Sequence, residues 1–186
     1  TQGGRHEIDL LVELGAGRVV GIEVKATSAL HDIGKVGIPD AVLQKPGRLT
    51  PEERKVIELH PEIGGDTLNQ VREKLGTTDA ELKATEYLRR GMEITYGHHE
   101  KWDGSGYPYG TEGEGIALSA RLVAVADVYD ALVSKRVYKS GMTHEEAGDI
   151  IRGGAGQHFD PRVVEAFNAT EMEFRRVSIE MGDAAE

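Results

Sequence analysis

Residues 98–108 read His98-His99-Glu100-Lys101-Trp102-Asp103-Gly104-Ser105-Gly106-Tyr107-Pro108. Adjacent imidazoles directly ahead of a glycine-rich loop are seldom needed for packing. Neighbouring side chains on a helix point about 100° apart. Both rings therefore serve one centre only if the helix ends there and the centre lies beyond its tip. A metal is the usual occupant of such a place.

Outward from this run the chain supplies matching donors. His31-Asp32 is followed by Ile33, Gly34 and Lys35, His60 stands further on, and Asp127 sits inside an apolar stretch. Nitrogen and oxygen donors of this kind suit borderline and hard divalent metals. The chain has no cysteine, which excludes thiolate zinc sites, iron–sulfur clusters and disulfides. Between Leu118 and Val133, residues Leu122, Val123, Ala126, Tyr129, Leu132 and Val133 form a helical apolar stripe with Asp127 beside it. An unpaired buried carboxylate is costly, and a divalent ion is the strongest compensation. An exposed Asp at the edge of the stripe is the plain alternative.

From Leu30 onward the pattern is helical. Thr50-Pro51-Glu52-Glu53 combines an N-cap, a proline at the first helical position and a capping-box Glu. It is expected to open a helix that carries His60 near its end, with Pro61 marking the boundary. Thr78 with Glu81 starts a helix expected to run to His98, while Thr143 with Glu146 and Asp160 with Pro161 open two more. Residues Lys101 to Gly115 hold five glycines and one proline, which makes a loop of the kind that carries function.

The N-terminal stretch differs. Ile8, Leu10, Val12 and Leu14 alternate, and Val20, Ile22 and Val24 alternate again after Gly15-Ala16-Gly17, which reads as a β-hairpin. On its other face, Asp9 and Glu23-Val24-Lys25 resemble the PD-(D/E)xK nuclease core found at the C-terminus of some AAA-type ATPases. An amphipathic hairpin with a solvated charged face is the stronger reading.

At 186 residues the chain has room for one ordinary domain or a domain with an appendage. Lys+Arg 22 against Asp+Glu 32 gives a net charge of −10, so polymeric nucleic acid is not an expected partner. A small phosphodiester, met by metals and by Lys35, Arg136 and Lys139, remains compatible with that charge. No apolar run is long enough to span a membrane and no signal pattern opens the chain, so a cytoplasmic location is expected.

The stretches HDIGKVGIPD, KPGRLTPEE, HHEKWDGSGYP, ADVYDALVSKRVYK and GQHFDP, in this order from about Leu30 to about Phe167, resemble the HD-GYP family of metal-dependent phosphohydrolases. The resemblance implies an all-α fold, the HD-superfamily helical domain, here with a short N-terminal β-hairpin appendage. The expected division is a hairpin fragment at 1–28, the helical domain at 29–170 and a C-terminal tail at 171–186. The resemblance further implies that His31, Asp32, His60, His98, His99 and Asp127 ligate two divalent metal ions, with Asp32 bridging. The ions are expected to be Fe or Mn, with Zn, Ni or Mg as alternatives, and a bridged water is the implied nucleophile. Asp32 and Lys35 would carry catalysis. Lys35, Arg136, Lys139 and the loop residues Gly106, Tyr107 and Pro108 would bind substrate. That substrate is cyclic di-GMP, hydrolysed to pGpG and/or GMP, and the loop is associated with diguanylate cyclase domains as protein partners.

Relative to that family, the helices ahead of His31-Asp32 are expected to be missing. One of them supplies a further His; His6 and Glu23 are the only upstream candidates to replace it, and strand residues are not expected to land where a helix projects. Their loss would weaken one metal and expose an apolar patch that favours a homodimer. The competing reading is a catalytically impaired HD-GYP module that binds without turning over. A nuclease site at Asp9, Glu23 and Lys25 is a third.

Overall fold

A computed structural model describes residues 9–14, 18–23, 30–76, 78–134 and 141–183. Its architecture is all-α. Strands β1 (Asp9–Leu14) and β2 (Arg18–Glu23) pair antiparallel, in a register that sets Leu10 opposite Ile22 and Val12 opposite Val20. The same register sets Asp9 opposite Glu23. His6, Ile8, Gly15 to Gly17, Val24 and Lys25 lie outside the described residues, Lys25 being the third member of the nuclease-like trio.

The helical part begins with a 3-10 turn, Ile33–Gly37, and continues through α1 (Asp40–Leu43), α2 (Pro51–Ile57), α3 (His60–Arg72) and α4 (Asp79–Gly97). After a long loop come α5 (Leu118–Val133), α6 (His144–Gly153), α7 (Pro161–Ala169) and α8 (Glu171–Asp183). Local chemistry sets the starts of most of these. Thr50, Thr78 and Thr143 each accept from the backbone N–H three residues on, and Glu53, Glu81 and Glu146 each reach back, giving capping boxes at α2, α4 and α6. Asp160 caps α7 by accepting from Arg162 N–H, with Pro161 at the first helical position.

Two boundaries depart from expectation. His60 opens α3 instead of closing α2, and Pro61 sits in the first turn of α3. A proline lacks only an N–H that the first turn does not use, so it starts a helix as readily as it stops one. Residues 171–183, expected within a C-terminal tail, form α8. Its Phe174 is buried edge-to-face against Tyr129 and Phe167, with ring centroids 5.2 and 4.9 Å away. Burying an aromatic ring of that size stabilises by about 2–3 kcal/mol, which accounts for the helix docking.

Helix α5 is the centre of the molecule. Leu122, Val125 and Tyr129 pack with Ile151 of α6, Val163 and Phe167 of α7, and Phe174 of α8 into one apolar core. On the other side, the 3-10 turn, α3 and α4 meet at glycines. A Cβ on Gly34 would stand 1.9 Å from the His60 carbonyl oxygen and 2.6 Å from the Gly64 nitrogen, and one on Gly64 would stand 2.7 Å from Thr95 Cγ2. Only bare backbone lets His31-Asp32, the start of α3 and the end of α4 come that close.

Candidate metal centre

That close packing brings four histidines and two carboxylates together from four places in the chain. His31 and Asp32 come from the turn ahead of Ile33, and His60 is the first residue of α3. His98 and His99 lie directly after α4, and Asp127 comes from the middle of α5. Ligand atoms of His60, His98 and His99 lie within 4.8 Å of one another, as do those of His31, Asp32 and His98. Asp32 links the groups, with one carboxylate oxygen 3.4 Å from His31 Nε2 and the other 3.4 Å from His60 Nε2. Asp127 Oδ1 stands 3.8 Å from His31 Nε2.

Backbone contacts set the tautomers. His60 Nδ1 is 2.7 Å from the Ile57 carbonyl, and His98 Nδ1 is 3.0 Å from the Thr95 carbonyl. A carbonyl oxygen only accepts, so Nδ1–H donates in both rings, and a ring carrying that one proton turns a bare Nε2 lone pair inward. The two Nε2 atoms face each other at 3.3 Å, with both histidines 2% exposed. Opposed lone pairs in a buried site, with a carboxylate oxygen beside them, need a cation among them. A proton on one ring serves two acceptors at most, whereas a divalent ion serves every donor of the cluster. The residues therefore fit a metal.

The electrostatics agree. Burial, then the neighbouring His31 and His60, push His98 down to about 3. Burial, then His98 and His60, push His99 down to about 2. Both rings thus stay neutral and competent to ligate at physiological pH. For His31, burial opposes the charge, but the Asp32 hydrogen bond and the Asp32 and Asp127 carboxylates outweigh it and raise the pKa. Burial also works against the Asp32 carboxylate, but His31, His60 and Lys35 outweigh it and hold Asp32 well below the usual range. Asp127 is raised, mainly by burial.

Lys35 is placed at this site, with Nζ 2.5 Å from Asp32 Oδ2, so it neutralises a ligand carboxylate here. Tyr107 stacks on His99 with centroids 4.7 Å apart, and its N–H donates to the His99 carbonyl at 3.2 Å. Burial raises the Tyr107 hydroxyl well above its ordinary value. Gly106 lies flat on the preceding backbone, since a Cβ there would stand 2.4 Å from Lys101 N. Pro108 follows at the half-exposed lip of the loop. Arg136 and Lys139 lie outside the described residues.

Glu100 was absent from the expected site, yet it shapes it. Its carboxylate is 3% exposed and accepts from Tyr109 N–H at 2.8 Å and Thr111 N–H at 3.1 Å, tying the far limb of the loop to the residue after His99. Its place beside the histidine pair was the available signal, but nothing local says that its partners lie nine and eleven residues away.

The HD domain profile matches residues 9–163. The chain belongs to the HD domain family, and its motifs place it in the HD-GYP group. The matched span opens within β1, ahead of the residues in which the motifs were read. A Vibrio cholerae protein named cyclic di-GMP phosphodiesterase is 52% identical over 165 residues, covering 88% of this chain and 32% of that protein. A Thermotoga maritima cyclic di-GMP phosphodiesterase is 42% identical, covering 89% of this chain and 42% of its own length. The Vibrio cholerae 3'3'-cGAMP-specific phosphodiesterase 2 is 42% identical over 76% of this chain and 25% of that protein. The chain thus spans between a quarter and about two fifths of the length of these relatives.

Proposed function

We propose that this chain is a metal-dependent phosphodiesterase domain that hydrolyses cyclic di-GMP to pGpG and/or GMP. The observation that carries the reading is the buried pair of facing Nε2 atoms inside a ring of six nitrogen- and oxygen-bearing side chains. In this reading His31, Asp32, His60, His98, His99 and Asp127 hold two divalent ions, Fe or Mn, with Asp32 shared between them. When bound, the ions supply Lewis acidity to the phosphodiester and acidify a water so that it attacks at neutral pH. Lys35, beside Asp32, would neutralise a phosphate oxygen of the substrate. Tyr107, fixed on His99, offers its outer face to a nucleobase, while Gly106 and Pro108 set its position. Arg136 and Lys139 hold the phosphates.

Cyclic di-GMP is preferred over 3'3'-cGAMP because the relatives named for it reach 52% identity against 42%. The loop is also the proposed contact for a diguanylate cyclase domain, and Tyr109, 59% exposed, is its most prominent ring. We further propose a cytoplasmic site of action, consistent with the absence, among the described residues, of a helix long and apolar enough to cross a membrane. Self-association as a homodimer is part of the same reading.

The deciding experiment removes metal with a chelator, restores Mn²⁺ or Fe²⁺ anaerobically, and follows cyclic di-GMP and 3'3'-cGAMP by chromatography. Metal-dependent production of pGpG or GMP is expected. Turnover of cGAMP alone would move the substrate assignment. Metal and ligand binding without turnover of either would favour the impaired binding module.

A further inference from the structure

The glycine-rich loop carries Tyr107 over the histidines, and its stance is set at separate points. Two of them, the His99 carbonyl and the Glu100 carboxylate, belong to the histidine run itself. The third is remote. Trp102 N–H donates to the His158 carbonyl at 3.1 Å, Asp103 N–H donates to the Gln157 carbonyl at 2.9 Å, and the Trp102 carbonyl accepts from Gly113 N–H at 2.9 Å. The loop mouth therefore rests on the turn that leads into Asp160 and α7.

Arg121 of α5 stands behind that junction. Its Nη1 donates to Asp160 Oδ2 at 2.6 Å, and its guanidinium carbon lies 5.7 Å from the centre of the Trp102 ring. The side chain is 11% exposed, and its buried Nε has no hydrogen-bond partner among the described residues. An arginine held this way at the cost of an unsatisfied donor is holding something together. Its flat cation meets both the ring and the carboxylate, which an ammonium cannot do equally well. Asp160 has a second cation, Arg162, with Nε 3.3 Å from Oδ1, so capping of α7 does not depend on Arg121.

We propose that Arg121 is a positioning residue, which clamps the Trp102 end of the loop to the Asp160 turn and so fixes Tyr107 over the histidine cluster for substrate. The inference rests on the proposed phosphodiesterase reading for its functional half, and the clamp itself is testable without activity.

Trp102 is the chain's single tryptophan, so its fluorescence reports the clamp directly. Arg121→Lys keeps a charge for Asp160 and loses the flat contact with the ring. Acrylamide quenching of Trp102 should then rise by about twofold in metal-loaded protein, with metal content and thermal midpoint near wild type. KM for cyclic di-GMP should rise by about three- to tenfold. Hydrolysis of bis(p-nitrophenyl) phosphate, too small to need the loop, should not change. Trp102→Leu should give the same KM change, and the double variant should add nothing. Quenching and KM at wild-type values in Arg121→Lys would overturn the proposal, as would an equal fall in kcat on both substrates, the mark of a merely structural role. If the wild-type protein cleaves the small diester but not cyclic di-GMP, the substrate reading fails. The quenching result then decides the clamp alone, an unchanged value overturning it and a raised value supporting it.

Discussion

The two sides of helix α5 handle burial in opposite ways. On one side Leu122, Val125 and Tyr129 meet Phe167 and Phe174, apolar surface closing on apolar surface. On the other, Asp127 reaches towards His31, and behind it His60 and His98 bury nitrogens that face each other. His31 Nδ1 is also buried there without a hydrogen-bond partner among the described residues. One side supplies its own stability. The other gathers donors that could hold a cation. The difference separates what holds the domain together from what it does.

If the two sides are independent, a change on either should leave the other intact. Asp32→Ala should remove metal-dependent hydrolysis, a loss on the order of a thousandfold or more, if its carboxylate is the proposed shared ligand. Helicity of the metal-free protein should stay near wild type. Retained activity in that variant would dismantle the two-ion account. On the apolar side, Phe167→Ala should cost about 3–5 kcal/mol in urea denaturation, from lost transfer energy and the cavity left behind. Metal bound per folded molecule should be unchanged. A variant that lost metal in step with stability would show that the two sides are not separable.

A smaller effect sharpens the boundary between them. Asp160 is 2% exposed, and although burial disfavours its charge, Arg162 and Arg121 outweigh that and lower its pKa. The unfolded chain then binds the proton more readily than the folded one. The stabilisation is complete above the ordinary carboxylate range, near pH 4–5, and is lost as pH falls through the lowered value. Denaturation of wild type and Asp160→Asn from pH 7 down to pH 3 should show a gap of about 1–3 kcal/mol at neutral pH that narrows in acid. A gap independent of pH would assign the effect to packing. The smallest change is Thr78→Ala, which removes the α4 capping box and should cost about 1 kcal/mol without altering metal affinity, since His98 and His99 lie at the opposite end of that helix.

The apolar side and the helix starts were largely legible in the sequence, because they obey short-range rules. Thr78 and Glu81 specify their turn by themselves, and the stripe from Leu118 to Val133 names its own helix. Pro61 misled because its chemistry fits either end of a helix, and Phe174 was missed because a single ring in a charged segment gives no periodic signal. The metal side was legible as an inventory of donors. Its geometry was not, since His31, His60 and His98 are brought together by bare backbone contact at Gly34 and Gly64, which no local pattern encodes. Glu100 and Arg121 escaped for the same reason, their partners being distant in the chain.

The most direct test of the central claim is the metal content of the buried histidine cluster. Apo-protein titrated with Mn²⁺ by calorimetry, with bound ion counted by elemental analysis, should take up about two ions per chain. The thermal midpoint should rise as they bind, by an amount that grows with the logarithm of free metal. His98→Ala should lose both the uptake and the rise. Apo-protein that binds no divalent ion, or a His98→Ala variant that binds as wild type does, would contradict the account.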